Sequence, residues 1–157
     1  MDKQTLIKDL KGCLTFFQNS TSCLDDSDAS FRPAETSLTT AEQIAHIAQS
    51  VDWFVDGAFS DKGFDMDFEG HWKDILGIGS LTEAKERVEK SFARAIEIIG
   101  QKSEEELKAP IAEGPIMGGE PRWSIVGGIV DHTAHHRGAL TVYARLNGKT
   151  PQMPYQA

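Results

Sequence analysis

Asp131-His132-Thr133-Ala134-His135-His136-Arg137-Gly138, close to the C-terminal end of the 157-residue chain, is the stretch whose reading decides the fold. His132 and His136 are four residues apart. On a helix, that spacing stacks two side chains on one face, one turn apart. The flanking pattern is helical. Ile125, Gly128, Ile129, Ala139, Leu140 and Tyr143 recur at steps of three and four on the stripe that holds both histidines. Ser124 is expected as the N-cap, and Asn147-Gly148 with Pro151 beyond it as the stop. The two histidines therefore lie mid-helix on an inward face, which other elements must cover. His135 is turned about 100° from His136 and is not expected to serve the same ion.

Spacing alone leaves two readings, a pair of hydrogen-bonded core histidines or a pair of metal ligands. Two imidazoles so placed can reach one ion at Zn–N distances of about 2.0–2.1 Å. His46, far upstream in another helical segment, is the candidate third ligand. Three neutral imidazoles with one position open form a catalytic type of metal site rather than a closed structural one.

The remaining segments read as scaffold. Residues Lys3 to Leu24 are expected as a first helix, with Leu6, Leu10, Cys13, Leu14, Phe17 and Thr21 as its apolar stripe. Asp25 to Ser30 is an acidic, Ser-rich turn, and Phe31-Arg32-Pro33 is extended because a residue before Pro avoids the α region. A second helix starts at Thr39 or Thr40, where Thr39 and Glu42 have the form of a capping box. Its stripe runs Ile44, Ile47, Val51, Phe54, Val55 and Ala58, with His46, Gln49, Ser50 and Trp53 beside it. Trp53 is read equally as a pocket wall or as core.

Residues 60–80 are expected to be a connector closing over the bundle end, with Phe64, Phe68 and Trp72 packing down and His71 at the surface. Asp65, Asp67 and Glu69 lack the ligand order and the glycine of an EF-hand loop, so calcium is set aside. A third helix is expected from Thr82 to Gly100 after a Ser80/Leu81 start, then a short acidic turn from Ser103. Residues 109–121, with three Pro and three Gly, read as a loop of the length of a lid or dimer contact. The tail is expected to lie along the bundle, anchored by Tyr155.

The run His132-Thr-Ala-His-His-Arg-Gly-Ala-Leu140, followed by Tyr143-Ala-Arg145-Leu-Asn-Gly148 and Pro151, resembles the C-terminal signature of the DinB/YfiT-like family. Phe31-Arg-Pro-Ala ahead of the helix carrying Ala45-His46-Ile47 resembles the same family. The likeness covers most of the chain. It implies an all-α, antiparallel four-helix bundle of one domain over residues 1–157. It also implies a homodimer and a divalent metal ion, Zn or Ni foremost, held by His46, His132 and His136. Ala139 departs from the pattern, since many relatives have Gln there. The resemblance implies thiol S-transfer with a low-molecular-weight thiol or a thiol-dependent isomerisation, and many relatives have no known activity. Water activated at the same three-His site gives metal-dependent hydrolysis of a small-molecule substrate as the alternative, and a non-enzymatic metal-binding scaffold is the third reading.

Charge excludes other classes. The chain has 16 basic and 24 acidic residues, a net charge of −8, and no basic run. Nucleic acid and anionic membranes are poor partners for such a surface. Cys13 and Cys23 cannot pair within one helix, because ten residues rise about 15 Å, so they read as free thiols. No apolar stretch approaches 18 residues and none resembles a signal peptide. The expectation is a cytoplasmic protein without a membrane span. Apart from the three histidines no catalytic group stands out. Asp131 points away from His132. Arg137 is expected to pair with Glu42 or another helix acid, or else to bind a substrate carboxylate. Gln49 and Tyr143 are candidate hydrogen-bonders in the pocket.

Overall fold

The computed structural model describes residues 2–156. Six α-helices follow one another: α1 Lys3–Thr21, α2 Thr40–Phe59, α3 Phe68–Ile75, α4 Leu81–Gln101, α5 Glu104–Lys108 and α6 Ile125–Leu146. The four long ones, α1, α2, α4 and α6, form the expected four-helix bundle. Each of α1 and α2 packs against both α4 and α6, so α1 faces α2 across one diagonal and α4 faces α6 across the other. Their inward stripes meet in one apolar core. Leu10 and Phe17, Ile44 and Ile47, Val88 and Phe92, and Ile125 and Ile129 are all essentially inaccessible to solvent.

Side-chain contacts fix the helix directions. Lys3 donates to the carbonyls of Gly100 and Lys102, and Lys85 to those of Thr21 and Leu24. α1 and α4 therefore run antiparallel, each capping the other's C-terminal carbonyls with an ammonium group. α2 and α6 are also antiparallel, because Gln43 meets His136 while Phe54 meets Gly128. The other two neighbouring pairs share a direction. Along α2 and α4, Glu42 accepts from the Gly77 amide just ahead of α4, Asp52 from Ser91, and Asp56 pairs with Arg94.

Parallel α2 and α4 force the chain back along the bundle between them, a path of roughly 30 Å for a 20-residue helix. Residues 60–80 make that return. They run down the side of α2, not over the bundle end as the sequence suggested, with Asp65 beside Trp53, Trp72 beside His46 and Gly77 beside Glu42. Asp67 caps α3 within this crossover. Phe64 packs inward against Trp53 and Phe54, and it can do so because Gly57 has no Cβ to block its ring. Phe68 and Trp72 remain half exposed.

With α4, α6 and α3 all against it, α2 is the most enclosed helix, and even Glu42, Gln43 and Ser50 are buried on it. Its capping box is present as expected: Thr39 accepts from the Glu42 amide and Glu42 from the Thr39 amide. α4 is capped by Ser80 and, from outside the helix, by Asp26, which accepts from the amides of Leu81 and Thr82.

One helix end departs from expectation. α1 stops at Thr21, and Leu24 is buried beyond its end. Ser124 is the N-cap residue of α6 as expected, but its side chain makes no capping bond: a 3-10 turn over Arg122–Ser124 leads straight into the helix, and the Ser124 hydroxyl donates back to the Pro121 carbonyl. The 109–121 loop closes on itself through a bridge between Pro110 and Pro121 and buries Ile111. It lines no part of the histidine pocket. The tail lies along α1 as expected, with Asn19 donating to the carbonyls of Pro154 and Gln156 and Tyr155 edge-on to Phe16. Among the described residues no helix is long and apolar enough to cross a membrane.

Candidate metal centre

α2 brings His46 to the level of His132 and His136, and the antiparallel contact with α6 turns all three rings toward one point. One nitrogen from each ring lies within 4.8 Å of the others. The Nε2 atoms of His132 and His136 are 3.1 Å apart, and the His46 ring sits edge-on to both, at centroid distances of 5.1 and 4.8 Å. The helices approach this closely because α6 has Gly128 one turn before His132. A Cβ there would come within 2.7 Å of the Phe54 ring on α2.

The electrostatics suit a cation. Burial pulls the His132 pKa down to about 4 and the His136 pKa down to about 3, and the neighbouring imidazoles add to the shift. Burial lowers that of His46 as well, against an opposing contact from Gln49. All three rings are therefore neutral at pH 7, with lone pairs free for coordination. The buried Nδ1 of His46 has no hydrogen-bond partner among the described residues. A buried polar nitrogen without a partner is costly, and a bound cation is what this donor set would satisfy.

Around the rings lies a supporting shell that the sequence reading missed. The Gln43 side-chain amide is 2.9 Å from Nδ1 of His136, and it fixes that ring's orientation from α2. Gln43 lies one turn before His46 on the same face, so helical spacing alone could have found it. Trp72 stacks on His46 with centroids 5.4 Å apart and 19° between the ring planes. No periodicity signal reaches it, because the path of the crossover places it there.

A cavity of about 170 Å³ opens beside the centre, lined by His46, His132, Gln49, Trp53 and Trp72 together with Phe68 and His71. Trp53 is thus a wall of the pocket, held by a 2.7 Å bond from its indole N–H to the Asp65 carbonyl. His71, expected at the surface, also faces this cavity, and its Nε2 is 3.6 Å from the Asp65 carboxylate. Gln49 reaches the pocket as expected and Tyr143 does not; its hydroxyl donates to the Leu38 carbonyl. Arg137 forms no ion pair with Glu42, whose carboxylate serves the Thr39 and Gly77 amides. His135 is exposed and Asp131 lies outside the cavity.

The model of the DinB superfamily matches residues 16–140. The chain belongs to the DinB superfamily. Solved structures of the same fold include YfiT from Bacillus subtilis, described as a probable metal-dependent hydrolase with an unusual four-helix bundle topology. It is 14% identical, with a TM-score of 0.72, over 94% of this chain and 89% of that one. A DinB-like protein from Bacillus subtilis is 19% identical, with a TM-score of 0.70, over 94% and 95%. One from Bacillus cereus is 19% identical, with a TM-score of 0.72, over 98% and 97%. No curated protein matches the chain.

Proposed function

We propose that His46, His132 and His136 hold one divalent cation, Zn or Ni, and that the centre serves a metal-dependent hydrolase acting on a small, apolar-bodied substrate. The observation that carries this reading is the convergence of three half-buried, neutral imidazoles, two of which line a cavity. The described nature of YfiT supports it. A cation so held supplies Lewis acidity and brings water within reach of deprotonation near neutral pH.

The chain's own residues do the rest. Gln43 holds the His136 ring in place. Trp72, lying over His46, keeps bulk solvent off the rings and strengthens the local field. Trp53, Phe68 and Trp72 offer an apolar wall to the substrate body. His71, beside Asp65, lines the same cavity and is our candidate for the group that exchanges a proton with the substrate or the attacking water.

Activation of a low-molecular-weight thiol for S-transfer is the second reading. It is favoured by the uncharged apolar walls, which suit the carbon body of a thiolate. Loading the protein with Zn²⁺ or Ni²⁺ and assaying p-nitrophenyl acetate hydrolysis beside conjugation of glutathione to monochlorobimane separates the two. Metal-dependent ester cleavage without thiol, lost in His132→Ala, supports the hydrolase. Conjugation alone would replace it with the transferase, and a metal-replete protein inactive on both would leave a binding scaffold. Within the hydrolase reading, His71→Gln is expected to reduce kcat at least tenfold with metal content unchanged.

A further inference from the structure

A larger cavity than the one beside the histidines lies elsewhere among the described residues. A groove of about 560 Å³ runs between α1 and α6, within the roughly 300–1,000 Å³ range typical of ligand pockets. It lies on the far side of α6. Val130 and Ala134, which line it, are each two residues from His132 and so about 160° around the helix. On α1 its lining extends from Leu6 to Phe16, a rise of about 15 Å, so the groove is elongated. Its floor is made by absent side chains: Gly12 and Gly127 line it, and a Cβ at either would touch nothing within 4 Å.

Charge is unevenly placed along it. At the end near Phe16, the half-buried Arg137 lies with its guanidinium over the Phe16 ring, 5.7 Å from the centroid. None of the ion pairs among the described residues involves it, although the chain carries an acidic excess of eight. At the other end Lys8 and Asp9, one residue of each sign, both line the groove. The Cys13 thiol on the wall near Arg137 is pushed up by burial and adds no negative charge at neutral pH. The groove therefore has an apolar body and one unmatched cation at one end.

We propose that the α1–α6 groove is a second binding site, separate from the histidine centre, for an apolar-chain carboxylate whose head group pairs with Arg137. Guanidinium matches a carboxylate in a two-point fork, and the apolar walls favour the chain more with each methylene they bury. An alkylammonium of the same length finds the same walls and the wrong charge.

Dodecanoate is a suitable probe, followed by quenching of fluorescence and by calorimetry on the full chain, with dodecylammonium as control. Dodecanoate is expected to bind one per chain. Gly127→Leu, which fills the groove from its floor, is expected to abolish binding while keeping the wild-type circular dichroism and metal content. Arg137→Gln is expected to weaken it about tenfold or more, the range for a charge-assisted hydrogen bond. Equal binding of dodecylammonium, or dodecanoate binding that survives Gly127→Leu, would overturn the proposal. So would a wild-type dimer that Gly127→Leu splits in sedimentation, since a second copy would then be the occupant.

Discussion

At the scale of single residues, the proposed centre depends on side chains that would not touch the cation. Gln43 is the clearest. It is buried on α2 and its amide fixes His136 through Nδ1. Partners of this kind tune metal affinity by about 10–100-fold. Gln43→Leu, close in volume, is therefore expected to weaken Zn²⁺ binding by that factor in a competitive chelator titration, with the helical content intact. Protonation acts at the same scale. In the metal-free protein His132 and His136 titrate at about 4 and about 3, below their ordinary value of 6.5. Below about pH 6.5 the unfolded chain binds protons that the folded chain refuses. Their effect is flat above that pH, and stability falls as the pH drops from 6.5 toward 4 and 3. Urea unfolding of the apoprotein between pH 7.5 and 4.5 is expected to show this decline, with a shallower slope in His132→Asn/His136→Asn.

The histidines themselves were legible because helical spacing is local information. His132 and His136 share a face by arithmetic, and Gln43 and His46 do too. Trp72 and His71 were not legible, since their place depends on the direction of α4 relative to α2. Arg137 was misjudged for a related reason. Glu42, its expected partner, is engaged by the Gly77 amide of the crossover, which no spacing rule reports.

At the scale of elements, α2 and the crossover complete the site that α6 begins with His132 and His136. α2 holds Gln43, His46 and Gln49, and its start is fixed by the Thr39–Glu42 capping box. Thr39→Ala removes one half of that box and is expected to lower stability by about 1 kcal/mol, read as a shift in the urea midpoint with no change in metal stoichiometry. The crossover works differently. α3 is short, and its Phe68 and Trp72, with Leu76 just beyond its end, are half exposed, so it adds little to the core. Its task is to lay Trp72 on His46. Trp72→Ala is expected to leave thermal stability close to wild type and to open the cavity, which would appear as faster exchange of bound Zn²⁺ with a chelator.

At the scale of the whole molecule, the bundle's connectivity explains the position of the centre. α1 and α2 are diagonal neighbours, so the first two helices in sequence do not pack on each other, and α2 lies between α4, α6 and the returning crossover. The most enclosed helix thus carries the donor that completes the centre. The four helices, their stripes and most of their ends followed from periodicity and capping residues. Their arrangement did not, because patterns of threes and fours say which face is inward without saying which helix it meets. A cation shared by α2 and α6 ties together elements 86 residues apart in sequence, counting from His46 to His132. Binding to the folded state alone stabilises it by about 4.1 kcal/mol at a thousandfold excess over Kd, so a concentration-dependent rise in Tm with Zn²⁺ or Ni²⁺ is expected.

The most direct test of the account is elemental analysis of untagged protein after loading with Zn²⁺ or Ni²⁺, beside His132→Ala/His136→Ala treated alike and checked for wild-type helical content. One divalent ion per chain in the wild type and none in the double variant is the predicted result. No bound metal in the wild type, or full occupancy in the double variant, would contradict it and return the three histidines to the core.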